Sequence, residues 1–113
     1  MQAIELLFQF LVLHAVLDFV WQPDVMASAK SRHSKFHESG NPDFPAWYYW
    51  LGAHSLAHGG AVYLITGNVW LGLIEVFLHG LIDYSKCENW TTLAQDQGLH
   101  LLCKFGYIAY ILM

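Results

Sequence analysis

Apolar residues fall into four long blocks, separated by short polar or proline-bearing stretches. The first runs from Ala3 to Gln22 and is closed by Pro23, whose ring lacks the amide hydrogen that a continuing helix needs. The second covers about 46–66 and opens after Asn41-Pro42-Asp43-Phe44-Pro45, a run of helix breakers. The third covers about 68–84, and the fourth starts near Thr92 and reaches Met113. Gly67-Asn68 is a turn signal, so the second and third blocks form a helical hairpin. Within the third, Val69, Trp70, Leu71, Leu73, Ile74, Val76, Phe77 and Leu78 are apolar nearly all round, as in a lipid-bathed helix. Each block reaches across about 30 Å of hydrocarbon at about 1.5 Å per residue, the third at the short limit. The expected fold class is all-α, a four-helix transmembrane bundle forming one domain over residues 1–113.

Composition points the same way. Of 113 residues, 56% are hydrophobic and 12% charged, against about 25% charged in a soluble domain. That leaves few charges to coat a surface wetted all round. The competing reading is a helical bundle buried in water, since His, Asp and Glu lower the hydropathy of every block; no block, however, shows a broad charged face. Trp47, Tyr48, Tyr49 and Trp50 sit where an interfacial aromatic belt belongs. The first block lacks a basic leader and a small-residue cleavage site, so it reads as a retained span. A formal charge of −4 argues against nucleic acid as a partner, because phosphate binding needs a basic face.

Basic residues set the expected orientation. Lys30, Arg32 and Lys35 lie between the first two blocks and Lys86 between the last two, while the hairpin turn and the N-terminal tail have none. The positive-inside rule then puts both longer loops in the cytoplasm and both termini in the periplasm of a bacterial inner membrane. Cys87 and Cys103 fall in or near the cytoplasmic half, which disfavours a structural disulfide.

Chemistry enters through pairs of metal-ligating residues. Every block carries one pair at i and i+4: His14 with Asp18, His54 with His58, His79 with Asp83, and Asp96 with His100. A four-residue step is one helical turn, so both members of a pair point the same way. Because the chain reverses between blocks, all four pairs fall at one depth, in the half next to the basic loops. Unpaired in lipid, such groups cost several kcal/mol, roughly speaking, and default to a functional role. Five His and three Asp suit one or two ions of Zn, Mn or Fe. A pair of ions lowers the pKa of a bridging water and clamps a phosphate or ester oxygen. Two irons that activate oxygen are an alternative, weakened by the absence of paired Glu-x-x-His. A bis-histidine haem is another, but it leaves the three Asp unexplained. The plainest alternative is a set of hydrogen-bonded His/Asp rungs that hold a bundle together. A proton or ion pathway uses such residues as well.

Flanking residues add detail. Gln22 and Glu75 each lie one turn from a pair and are candidates to fix an imidazole, and Glu75 is equally a candidate partner for Lys104. Lys30, Arg32, His33, Lys35 and His37 make a small basic patch, read first as a solvated loop and second as a phosphate clamp. Gly52, Gly59, Gly60 and Gly80 are positions where helices can approach closely.

At the level of these motifs the chain resembles the domain of unknown function 3307 family of small bacterial and phage membrane proteins. The likeness rests on His14-Ala-Val-Leu-Asp18-Phe19-Val-Trp-Gln22 followed by Lys30, on His54-x-x-x-His58, on His79-x-x-x-Asp83 followed by Lys86, and on Asp96-Gln97-x-x-His100. It covers nearly the whole chain and implies a membrane location and a phage or bacterial source, but no activity. More distantly the pattern is similar to membrane-bound metal-dependent hydrolases, an analogy that does not carry a reaction with it.

The functional expectation is an integral membrane, metal-dependent hydrolase of a phosphoester or lipid-linked substrate. His14, Asp18, His54, His58, His79, Asp83, Asp96 and His100 hold one or two divalent ions, and Lys30 or Lys86 neutralises substrate charge. The bilayer and such a substrate are the expected partners, and a homo-oligomer is allowed. The alternative from another class is a non-enzymatic phage or bacterial accessory protein whose polar rungs serve assembly.

Overall fold

The computed structural model describes residues 2–113, which are all-α. Five α-helices follow in order: α1 (Gln2–Ala15), α2 (Asp24–Ala29), α3 (Trp47–Thr66), α4 (Val69–Cys87) and α5 (Leu93–Ile111). The four long helices close a ring in which α1 touches α3 and α5, and α4 touches α3 and α5. All four therefore surround one axis, and the molecule's principal extents are 51, 26 and 22 Å.

Local chemistry fixes the ends. α3 stops at Gly67, whose φ of 68° only glycine adopts freely, and its amide donates to Tyr63 O at 2.7 Å. Asn68 then caps α4, its Oδ1 accepting from the amides of Trp70 and Leu71 at 2.9 and 3.3 Å. The hairpin expected at Gly67-Asn68 is thus present. Thr92 and Gln95 form a reciprocal capping box that starts α5. At the end of α1 the helix widens into a π-helical turn (Val16–Val20) before Trp21 and Pro23 break it. That turn aims the Asp18 carboxylate at the bundle axis, and such bulges are frequent at functional sites.

The segment expected to be a loop between the first two blocks is better built than the sequence suggests. α2 folds against α3, a 3-10 turn follows at Lys35–His37, and Phe36 stacks on Phe44 with ring centroids 6.1 Å apart. Glycine roles also differ. Gly59 and Gly72 face each other across the hairpin: a Cβ on Gly59 would stand 2.6 Å from Gly72 O and collide with Val76. Gly80 lies against Ser55, whereas a Cβ on Gly52 or Gly60 would meet nothing within 4 Å. The close approach expected at Gly52 and Gly60 is therefore corrected, because both look away from the neighbouring helices.

The interior has two halves. Near the α3–α4 turn, Leu6, Phe10, Val62, Leu71, Tyr107 and Ile108 form an apolar core. The other half buries seven of the eight His and Asp of the four pairs, with Glu75 and Lys104 beside them, and leaves His14 half-buried. Of the four-span expectation, hydropathy supports one candidate span. Among the described residues only the run Gln2–Val20, with mean hydropathy 1.9, is both long and apolar enough to cross a membrane. α3, α4 and α5 have the length, at 20, 19 and 19 residues, but their inward polar side chains pull the average down.

Candidate metal centre

The axis of the bundle collects all eight residues of the four pairs. Asp18 is the hub. Its Oδ1 lies 2.9 Å from His54 Nε2, 2.8 Å from His58 Nε2 and 3.7 Å from His79 Nε2, and its Oδ2 lies 3.2 Å from His14 Nε2. Asp83 is the second hub. Its Oδ2 stands 3.4 Å from both His54 Nε2 and His79 Nε2, and its Oδ1 3.0 Å from His100 Nε2. Asp96 Oδ1 is 3.6 Å from the same nitrogen of His100. Two groups of potential ligands result, Asp18–His54–His58–His79 and Asp83–Asp96–His100, each with its ligand atoms within 4.8 Å of one another. A third, Glu75–His79–His100, overlaps both.

These distances leave polar atoms without partners. Nε2 of His58, Nε2 of His79 and Oδ1 of Asp96 are buried and accept or donate no hydrogen bond, a costly state for groups taken out of water. Charge is unbalanced too. Asp18, Glu75, Asp83 and Asp96 are buried, and among the described residues only the ammonium groups of Lys30 and Lys104 reach them. With neutral imidazoles the centre is left with two negative charges in a dry interior, which one divalent cation would cancel. Orphaned nitrogens, an orphaned carboxylate oxygen and that excess charge fit a metal of the Zn, Mn or Fe kind.

Neighbouring side chains orient the ligands. Glu75, 1% exposed, accepts from His79 Nδ1 at 3.2 Å, from Lys104 Nζ at 2.7 Å and from Tyr107 Oη at 2.6 Å. The two roles expected for Glu75, fixing an imidazole and pairing with Lys104, are held at once. With its proton on Nδ1, His79 turns the lone pair of Nε2 to the centre. Gln97 donates from Nε2 to Asp18 Oδ2 at 3.1 Å and to Asp96 Oδ2 at 3.0 Å, so its Oε1 accepts from His14 Nε2 at 2.9 Å. His14 thus stands beside the centre, outside both ligand groups. Gln22 is corrected as well: it holds Lys30 Nζ at 2.8 Å and the Asp18 carbonyl at 2.7 Å, with no imidazole in reach. The roles of Tyr107 and Gln97 were not legible in the sequence, where Gln97 entered only as part of a motif, because neither belongs to an i, i+4 pair of classical ligands.

Lys30 and Lys86 part company. Lys30, just past α2, turns inward and donates to Asp83 Oδ2 at 3.0 Å. Lys86 lines a cleft of about 470 Å³ that also takes in Asp18, Asp83, Asp96, Lys30, Ser28 and Asn89. Between α1 and α5 a smaller cleft of about 180 Å³ is floored by His14, His100 and Lys104 and walled by Phe10, Leu11 and Leu101. The rest of the basic patch is spent locally. Arg32 makes a two-pronged bond to Glu88 at 2.5 and 3.1 Å, His33 meets the same carboxylate at 2.9 Å, and His37 lies 2.8 Å from Ala29 O. The Arg32 guanidinium, with His33 beside it, holds the Glu88 carboxyl down at about 2. Lys35 is the exception within that patch and stays exposed in the surface turn.

Fold and centre together define a helical bundle with a buried histidine–aspartate cluster. The family model described as "Protein of unknown function (DUF3307)" matches residues 6–113, and the chain belongs to that family. No curated protein and no solved structure matches it.

Proposed function

We propose that this chain is a metal-dependent hydrolase of the bacterial inner membrane, acting on a phosphoester or lipid-linked substrate. The observation that carries the metal reading is the convergence of His54, His58 and His79 Nε2 on Asp18 Oδ1, with two of those nitrogens orphaned. A carboxylate oxygen has two lone pairs, so three imidazoles around it call for a cation to organise them. Asp18, His54, His58 and His79 would hold a divalent ion, which would supply Lewis acidity and a water of lowered pKa for hydrolysis.

The chain's own residues supply the remainder. Asp18 and Asp83 gather the ligands, Glu75 sets the His79 tautomer, and Gln97 bridges Asp18 and Asp96. Lys86 and Lys30, both lining the larger cleft, neutralise an anionic substrate that enters between α2 and the start of α5. The narrow apolar cleft beside His14 and His100 suits the chain of a lipid-linked substrate.

The membrane reading, with four crossings and both termini periplasmic, rests on an inverted surface. Among the described residues the buried polar and charged side chains, eleven, outnumber the nine buried hydrophobic ones, so the apolar residues are mostly outside. Phe8, Leu64, Trp70, Phe77 and Leu102 all face outward along the long helices. An exposed apolar surface of that extent marks an interaction with lipid or protein. Trp21, Tyr48, Tyr49 and Trp90 ring the loop end, as an interfacial belt does. Mean hydropathy misses this because it averages lipid-facing and axis-facing residues together.

Replacing His58 or Asp18 by Ala tests the metal reading: metal content falls while membrane insertion is kept. Unchanged metal in both variants would contradict it. Hydrolysis is tested with phosphomonoester, phosphodiester and phospholipid substrates on the metal-loaded protein in detergent.

A second reading is favoured by one feature. The direct His54–Asp18 and His100–Asp83 contacts, at 2.9 and 3.0 Å, are already good rungs between helices. On that reading the protein is a membrane accessory subunit whose rungs serve assembly, and the double variant His54→Ala/His58→Ala loses fold or oligomer with no change in metal. The haem alternative meets a steric obstacle: His58 stacks on His79 at 3.7 Å and His79 on His100 at 4.1 Å, which leaves no slot for a macrocycle between them.

A further inference from the structure

The two ligand groups are not equivalent. The Asp18–His54–His58–His79 group contains no ammonium. Its two unpartnered nitrogens, on His58 and His79, belong to residues 2% and 0% exposed. In the Asp83–Asp96–His100 group, by contrast, the Lys30 ammonium already sits 3.0 Å from Asp83 Oδ2. It is anchored from behind by Gln22 Oε1 at 2.8 Å, and Gln22 is itself tied to the Asp18 carbonyl. The chain just before it is held too: the Lys30 amide donates to Met26 O, and Ser28 bonds Ser34 at 2.7 Å. Lys30 is therefore a positioned cation and not a loose surface lysine.

Resting on the metal reading above, we propose that the centre takes one divalent ion, at Asp18–His54–His58–His79, and that Lys30 is a resident cation that keeps a second ion out of Asp83–Asp96–His100. Charge supports this division. Four buried carboxylates face two ammonium groups, so a single divalent ion makes the centre neutral, while two ions would leave it positive in a dry interior. Removing the Lys30 charge deepens the deficit and frees Asp83 Oδ2 for a second ion beside the orphaned Asp96 Oδ1. Lys30 is also the wall of the cleft that reaches Asp83, so an arriving phosphate meets an ammonium there and not a second metal.

The test is metal stoichiometry on full-length protein in detergent, loaded with excess Mn and freed of unbound ion. Wild type is expected to hold one equivalent and Lys30→Met, which keeps the side chain's length without its charge, two. Lys30→Arg returns to one, and adding Asp96→Asn to Lys30→Met returns to one as well. Electron paramagnetic resonance of Mn-loaded wild type checks the claim without any variant: one ion gives an uncoupled hyperfine pattern, two neighbouring ions an exchange-coupled one. Two equivalents or exchange coupling in wild type, or one equivalent in a folded Lys30→Met protein, overturns the role of Lys30 and leaves the metal reading standing. No metal in either protein overturns both.

Discussion

The Asp18 carboxylate lies 2.8 Å from Nε2 of His58, with α1's terminal π-helical turn on one side and the middle of α3 on the other. Neither group is held by a hydrogen bond of good geometry to the other, since His58 Nε2 remains without a partner. Two buried groups pressed together in that way are the mark of a centre arranged around a third body. Removing the carboxylate's charge should accordingly act on the metal first: Asp18→Asn is expected to lose bound ion while its helical circular dichroism in detergent stays unchanged.

Glu75 acts at one remove, through the imidazole of His79. Partners of that kind are worth about 10–100-fold in metal affinity. Glu75→Gln should weaken ion binding by about that factor, measured by competition with a chelating dye, and keep the stoichiometry of wild type. Equal affinities would show that His79 needs no orienting carboxylate.

Lys104 and Glu75 are both buried, 4% and 1% exposed, and bond at 2.7 Å. Taking away one partner of a buried pair costs about 3–5 kcal/mol, whereas taking away both is often close to neutral. Lys104→Met should therefore unfold at a markedly lower temperature, and Lys104→Met/Glu75→Gln should recover much of the loss. A double variant no better than the worse single one would deny the pairing.

Gly59 and Gly72 bring the backbones of α3 and α4 together. A methyl group on Gly59 meets Gly72 O at 2.6 Å, and backbone has little room to yield. Gly59→Ala is expected to cost about 1–3 kcal/mol as an overpacking change, and Gly60→Ala, which meets nothing, to be silent. Thermal unfolding of the two variants side by side is the check.

At the loop end, Arg32 and His33 tie the segment after α2 to Glu88 at the end of α4. The Glu88 carboxyl is held below its ordinary value of 4.5, at about 2. A depressed carboxyl contributes stability above its unfolded value and loses it as pH falls toward its folded one. The tie is thus complete at neutral pH and released between about 4.5 and 2. Hydrogen exchange of the α2 segment should rise across that window in wild type, and Arg32→Gln should flatten the transition.

How much of this the sequence carried depends on the kind of signal. Helix limits were legible because Pro23, Pro45, Gly67-Asn68 and Thr92 are local punctuation, and the observed ends at Thr66, Val69 and Leu93 follow them closely. The eight His and Asp of the four pairs were legible because an i, i+4 pair names its own face of a helix, but the place of His14 outside both candidate ligand groups was not. Gln97 and Tyr107 were not, since their roles depend on which neighbours α5 meets across the axis. Lys30 was singled out over Lys35 by its place after the first motif, yet nothing local showed that the fold turns the first onto Asp83 and leaves the second in the surface turn. The π-helical turn at Asp18 was equally hidden, because one extra residue in a helical turn leaves no mark on apolar periodicity.

Elemental analysis by mass spectrometry, on protein purified in detergent with no metal added, tests the central claim most directly. The account predicts about one equivalent of Zn, Mn or Fe per chain, lost in His58→Ala. Protein that carries none, and takes none up when Zn, Mn and Fe(II) are each offered in excess, would contradict it and leave the histidines and aspartates as rungs between helices.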